Sequence, residues 1–461
     1  SMTTPQSSRP RAVEATKKEL FLLVARALTD EEAQHPGDRF AALVHELALA
    51  DDDWLQRLAD WTRAQPVLRR TRLAITVGSA HVRLEATLRS ATETRRLISE
   101  ALVRADEPGE LLAYAADRYG RSIPKPIKAG VAKAAERLYD EHALATYDTA
   151  DAPMRFSEVI DLTHAKPVGQ AQREVFQHAA QRLRLGSHPV PEALTTLRAR
   201  AQLQALPAEQ RVRTLDGLDA ADMLAKAAMT WQQMSAWLNG EMTDKVWATV
   251  LPSMSYRQRL AHLRDFETAG LAGEVADWAC AELAEEGSVA RGRAMPVEIL
   301  AAYRSVPASR WSWALEQALS HSLAQVPALS GRTLILVDRS AAMASRADAA
   351  AVFAAALALR SPSVELVEFG PATRPVTAAA SVLATVDRFS ATGGAQTVAQ
   401  AVPAYVEGHD RIIVLTHPGA AVEAVQAVTA PGHEHVISQI NDGWFAAIPA
   451  IESARTGAWP F

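Results

Sequence analysis

From about residue 14 to residue 325 one pattern recurs, with apolar residues three and four positions apart and charged residues between them. ATKKELFLLVARAL, DRFAALVHELAL and DDDWLQRLADWTRA each put their apolar side chains on one helical face. Asp51 or Asp52 is a suitable cap for the third helix, because a short carboxylate accepts from the free N–H groups of a first turn. The spacing continues through TETRRLISEALVRA, PGELLAYAADRYG, AQREVFQHAAQRLR, DAADMLAKAAMTWQQMSAWLNG, TDKVWATVL and SYRQRLAHLRDFETAG. Short connections marked by Gly or Pro separate these segments. Many short helices in series predict an α-solenoid of helix pairs. No strict sequence period enforces that reading, so a large irregular helical domain is the alternative.

After Ser330-Gly331 the pattern changes. TLILVD, VELVEF and RIIVLT are short unbroken apolar runs, as in a buried parallel sheet, and HVISQI is a fourth candidate strand. Between them SRADAAAVFAAALALR, TAAASVLATVDRF, GAQTVAQAVPAYV and GAAVEAVQAVTA predict helices. Alternating strand and helix defines a doubly wound α/β domain over residues 331–461, following an α-helical domain over residues 14–330. In such sheets the functional groups lie beyond the carboxyl ends of the strands. That rule singles out the segment Asp338-Arg339-Ser340-Ala341-Ala342 and, at the end of RIIVLT, His417.

Composition narrows the possibilities. A chain of 461 residues exceeds one compact core, and 48% hydrophobic with 22% charged residues is ordinary folded protein. No apolar run is long enough to span a bilayer, and no signal-peptide pattern opens the chain, so a cytoplasmic protein is expected. Ser1 ahead of Met2 reads as a residue left from expression. The single cysteine, Cys280, excludes an internal disulfide and a cysteine-rich zinc site. The net charge of −5 is concentrated late: residues 333–461 carry seven basic against eleven acidic residues. The remainder is nearly neutral, so any nucleic-acid site must come from local clustering of cations.

Three clusters qualify. Arg69, Arg70 and Arg72 crowd into VLRRTRLAI. Arg121, Lys125, Lys128 and Lys133 lie in YGRSIPKPIKAGVAKAAERL, where Pro124 and Pro126 are expected to hold the backbone extended ahead of a helix. Lysines there, with the N–H groups of a helix start, could meet phosphates, and Tyr119 could stack on a base. Arg257, Arg259 and Arg264 form the third. Taken alone, such clusters ordinarily serve a solvated face. Neither a GxGxxG loop, a P-loop, HExxH, GxSxG nor an EF-hand is present. The thirteen histidines form no legible set with Ser, Cys or Asp, so the reading is not an enzyme. His433 and His435 are expected to serve a loop or strand edge.

Several short elements in series resemble the Ro autoantigen family, whose members join a helical-repeat TROVE module to a von Willebrand factor A domain. Leu162-Thr163-His164-Ala165-Lys166-Pro167 is similar to the family's Ser-His-Leu-Lys-Pro element. Lys245-Val246-Trp247, Leu251-Pro252-Ser253-Met254 and Leu260-Ala261-His262-Leu263-Arg264-Asp265 resemble its Val-Trp, Met-Pro and Leu-Leu-Arg-Asn run. Ala301-Ala302-Tyr303-Arg304 leads at matching spacing into the first strand. The resemblance spans most of residues 15–461, with the bacterial Ro-like members as the nearer subgroup. It implies a HEAT-like ring of helices followed by the A-type domain. It further implies binding of noncoding RNAs, either Y-RNA-like or misfolded with single-stranded 3′ ends, and coupling to an exoribonuclease. His164 and Lys166 fall in the element that matches an RNA-contacting segment. Arg264 matches the family arginine. A protein-interaction scaffold that has lost the RNA role is the competing reading.

The resemblance also implies an Mg²⁺ site built from three loops carrying Asp-x-Ser-x-Ser, Thr and Asp, with one position open for a partner's carboxylate. Here Asp338 and Ser340 match. Ala342 replaces the second serine, Ala395 stands at the threonine, and His417 stands at the last aspartate. Thr397 and Thr416 lie one or two residues from the matched places, where their side chains are expected to aim elsewhere. Arg339 is expected to set its guanidinium near Asp338. The expected outcome is an A-type domain without a metal and a protein without a cofactor.

Overall fold

The computed structural model describes residues 5–87, 91–186, 189–429 and 432–461, with the side chains of residues 5–10 left aside. Ser1 and Met2 lie outside the described residues. Two compact units divide the chain, one made of Ser1–Met229 with Ser453–Phe461 and the other of Thr230–Glu452. Among the described residues, twenty-one α-helices precede the first strand.

The first unit is helical throughout. Most of its helices pack on a neighbour one or two places away in sequence, the local contact pattern of stacked helix pairs. Asp51 is the cap of helix Asp52–Thr62, accepting from the Trp54 N–H at 3.2 Å. Asp52 instead turns inward, to Ser79 and Arg83. The core runs through Leu111, Leu112, Val131, Leu144, Val159 and Phe176, with Tyr139 stacked on Phe156 at 3.8 Å. A second aromatic cluster joins Phe21, Trp54 and Trp61 to Trp459 and Phe461.

Two of the expected helices are broken. DAADMLAKAAMTWQQMSAWLNG forms Ala220–Ala227 and Trp231–Trp237, because Ala228 adopts a left-handed conformation and Thr230 caps a new helix with Gln233 in a capping box. SYRQRLAHLRDFETAG likewise divides at His262. The periodicity survives each break, which is why apolar spacing alone reads straight through.

The second unit contains the sheet. β1 (Thr333–Asp338), β2 (Val364–Phe369), β3 (Arg374–Val376), β4 (Arg411–Leu415) and β5 (His433–Ile437) lie in the order β3-β2-β1-β4-β5. All pairings are parallel except the edge pair β2–β3. The edge strand β3 is the departure from the sequence reading: Arg374-Pro375-Val376 buries one residue in three and presents no apolar run. It occupies chain expected to lead into a long helix, and Val382–Val386 is all the helix that follows. β5 begins two residues earlier than expected, with polar His433, Glu434 and His435 inside it. Helices Pro296–Ser305 and Ala347–Arg360 pack together within this unit. Asp442 accepts from the N–H groups of Val297 and Glu298 at 2.8 and 2.9 Å, closing the first turn of Pro296–Ser305. The change of pattern at residue 331 is therefore a change of secondary-structure class inside the second unit.

Candidate functional site

Helix Lys125–Leu138 sets one face of the first unit. Ile127, Gly130, Val131, Ala134 and Ala135 are buried, and the helix packs on Ala91–Ala101. Gly130 makes that approach possible, since a Cβ there would lie 2.7 Å from both the Arg95 carbonyl oxygen and the Ile98 Cβ. With that face inward, Lys125 and Lys133 are exposed and Lys128 is half-buried. At 1.5 Å rise per residue, Lys125 and Lys133 are separated by about 12 Å along the axis. The proline pair works differently from expectation. Pro124 is the extended residue before the helix, while Pro126 sits in its first turn, where a missing N–H costs nothing. The N–H groups of Ile127 and Lys128 both donate to the Pro124 carbonyl. Lysine side chains, not a row of free N–H groups, are what this helix start presents.

The turn after helix Phe156–Thr163 lies against the far end of Lys125–Leu138. His164 terminates its helix in the left-handed conformation, φ 57°, with its side chain exposed. The Lys166 N–H donates to Glu136 at 3.2 Å, leaving its ammonium in solvent. Gln172 clamps the turn: its amide donates to the Glu136 and Tyr139 carbonyls, and its oxygen accepts from the Val168 N–H. Next to this clamp Arg173 is exposed on helix Gly169–Leu185. Sequence reading missed Arg173. Its signal was the polar face of AQREVFQHAAQRLR, opposite buried Val175 and Phe176. Among the described residues, Arg121, Lys125, Lys128, Lys133, Lys166 and Arg173 have no carboxylate ion-pair partner.

The other basic candidates divide. Arg70 is exposed, 3.5 Å from His35. Arg69 is largely covered and bonded to Glu110 at 2.5 Å. Arg72 is a correction. It is 4% exposed and held by Glu107 at 3.1 and 3.2 Å and by the Ala101 carbonyl, so it is an internal strut and cannot reach a phosphate. Burial pulls its pKa below the usual arginine value, with Glu107 opposing that shift. Tyr119 stacks on His81 at 4.2 Å and is packed against the core; burial pushes its phenol up to about 12. In the second unit Arg264 is exposed, Arg257 pairs with Glu298, and Arg259 is buried over Trp278 with its guanidinium on the Leu251 and Pro252 carbonyls.

The carboxyl edge of the sheet holds a cavity of about 250 Å³, lined by Asp338, Ser340, Ala342, Ala395, Thr416 and His417, among others. Asp338 is 2% exposed. Its Oδ1 accepts from the Ser340 N–H at 2.8 Å and its Oδ2 from the Thr416 hydroxyl at 2.7 Å. Thr416 thus aims into the site, against expectation, because β4 ends at Leu415 and the next residue still faces β1. Thr397 is taken up in a capping box with Gln400. The His417 Nε2 stands 3.8 Å from Asp338. Arg339 also departs from expectation: it turns away, donating to the Ser390 and Ala347 carbonyls over the Phe389 ring. The loops pack tightly at Gly394, φ 68°, where a Cβ would sit 2.4 Å from the Gly370 carbonyl oxygen. Among the described residues, no group of three or more His, Cys, Asp or Glu side chains is placed to hold a metal.

His433 and His435 meet at the opposite edge of the sheet. The His435 Nε2 is 2.7 Å and the His433 Nε2 3.7 Å from Glu452, which also takes Arg411 through both oxygens at 2.6 and 2.7 Å.

A long series of paired helices leading into a parallel sheet with one antiparallel edge strand defines a helical-repeat protein with an A-type α/β domain. One solved protein with this fold is the Deinococcus radiodurans Ro (RSR) protein. Its crystal structure matches at a TM-score of 0.65 and 17% identity, over 90% of this chain and 93% of that one. At that identity the likeness is one of fold. No protein-family model matches the chain, and no curated protein matches its sequence. Among the described residues no helix is long and apolar enough to cross a membrane.

Proposed function

We propose that the chain is an RNA-binding protein of the cytoplasm, using the face formed by helix Lys125–Leu138 and the turn that carries His164 and Lys166. The observation that carries this reading is a run of cations without carboxylate partners, Arg121, Lys125, Lys128, Lys133 and Lys166, on adjoining elements of one unit. Several arginines outside this face are by contrast paired with acids, among them Arg39 with Glu19, Arg69 with Glu110, Arg72 with Glu107 and Arg257 with Glu298. Lys and Arg meet phosphates and fix register, while an exposed imidazole can bond a phosphate or stack on an unpaired base. The fold shared with the Ro protein and the short elements resembling that family favour a noncoding RNA with a single-stranded 3′ end as the ligand. The same resemblance favours an exoribonuclease as the protein that acts with it.

The test is binding of a hairpin RNA with a single-stranded 3′ tail, titrated at several salt concentrations. Single-stranded contacts contribute a slope of roughly 0.7 in log K per phosphate neutralised. Replacing Lys125, Lys128 and Lys133 together by glutamine should therefore flatten the slope by about 2. His164→Ala with Lys166→Ala should lower affinity at every salt concentration. Equal affinity and equal slope in wild type and both variants would overturn the assignment.

A further inference from the structure

The cavity at the carboxyl edge of the sheet has a chemistry of its own, independent of RNA. Its floor is the Asp338 carboxylate, nearly out of solvent and held by two neutral donors, the Ser340 N–H and the Thr416 hydroxyl. Among the described residues no lysine or arginine lines it, Arg339, the nearest in sequence, is directed elsewhere, and the one basic ring in the lining, His417, stands with its Nε2 3.8 Å from Asp338. Small apolar groups make the walls: Ala341, Ala342, Ala395, Ala420 and Ala424. Glu423 adds a second carboxylate in the lining.

We propose that this cavity is a docking pocket for a lysine or arginine side chain of a protein partner, with the cation seated on Asp338. A long cationic side chain matches it along its whole length. The aliphatic stem lies against the alanine walls, and the charged head meets a carboxylate whose solvation has already been replaced by fixed donors. The alanines at 342 and 395 matter twice: they supply no oxygen to a hard divalent ion, and they leave the width a methylene stem requires. Charge agrees, since residues 333–461 carry seven basic against eleven acidic residues. The recognition is thus the reverse of the metal-and-carboxylate scheme that the loop resemblance implies. A basic partner residue takes the place of the ion.

The full chain, labelled with ¹³C at alanine and threonine methyls, tests this by NMR titration. The probe is the blocked tripeptide Ac-Leu-Lys-Val-amide, compared with its norleucine and glutamate counterparts and with MgCl₂. The lysine peptide should shift the methyls of Ala342, Ala395 and Thr416 saturably in the millimolar range, and bind at least tenfold more tightly than the norleucine peptide. Asp338→Asn should abolish that preference. Because Asp338→Asn could also disturb folding, Ala395→Leu provides a second variant: it fills the cavity, leaves the carboxylate intact, and should remove binding as well. RNA affinity should be unchanged in Ala395→Leu, which separates this pocket from the basic face. Equal binding of lysine and norleucine peptides, no saturable shift with the lysine peptide, or binding of the glutamate peptide with Mg²⁺ would each overturn the proposal.

Discussion

Glu452→Gln should be among the most damaging single-atom exchanges in the second unit. The Glu452 carboxylate receives both arms of Arg411 and the His435 imidazole, and Arg411 is itself 6% exposed, bonded also to Ser330 and Thr333. Burial alone would raise the acid's pKa, but the hydrogen bonds and charges of Arg411 and His435 outweigh it and hold the group at about 2, against an ordinary 4.5. At 1.36 kcal/mol per pKa unit, the ionised state is favoured in the folded protein by about 3 kcal/mol. Glutamine preserves shape but leaves a buried guanidinium without a counter-charge, a change that typically costs about 3–5 kcal/mol. The two routes agree.

The sign with pH follows from a depressed folded-state pKa. The stabilisation is present above 4.5 and is lost as pH falls toward 2. Urea unfolding of wild type and Glu452→Gln, followed by circular dichroism at pH 7 and pH 3, measures both quantities. At pH 7 the variant should be less stable by about 3 kcal/mol. The gap should narrow at pH 3, where the unfolded wild-type acid is protonated and part of the advantage is gone. A difference below about 1 kcal/mol at pH 7, the range of an exposed ion pair, would refute the argument. So would a gap independent of pH.

Glu107→Gln acts on the internal pair with Arg72 and on the Val103 and Arg104 N–H groups that the same carboxylate accepts. It should lower stability by about 3–5 kcal/mol while the folded fraction retains RNA affinity, read by thermal melts beside binding. Gly130→Ala drives a methyl into the Arg95 carbonyl and should cost about 1–3 kcal/mol by forcing two packed helices apart. Wild-type stability in that variant, measured by the same denaturation, would show that the helix pair can give way.

Much of this architecture was legible because burial writes itself into spacing. TLILVD, VELVEF and RIIVLT are dominated by apolar residues, as suits strands of a parallel sheet that helices cover, and all three are strands. β3 escaped for the converse reason: an edge strand needs no apolar run. The local sites were harder to read. Arg69, Arg70 and Arg72 look alike in sequence, yet one residue of helical rotation separates exposed Arg70 from its neighbours, and Arg72 ends on a buried glutamate 35 residues away. Spacing along the chain carries no information about such a distant partner. Thr416 was misjudged similarly, since a one-residue offset at the end of a strand still left its hydroxyl on Asp338.

The two edges of the sheet treat their buried acids differently. At its amino edge Arg411, Thr333, His433 and His435 converge on Glu452, where every charge is paired and the cluster serves stability. At its carboxyl edge, among the described residues, Asp338 faces no lysine or arginine, and its one basic neighbour is His417 at 3.8 Å. An ionised carboxylate out of solvent is costly unless it is paired or hydrogen-bonded. Two neutral hydrogen bonds from Ser340 and Thr416 reduce that cost without cancelling the charge. On the proposal made above, a cation entering the cavity would gain from this carboxylate, and the alanines around it would limit the shape of that cation.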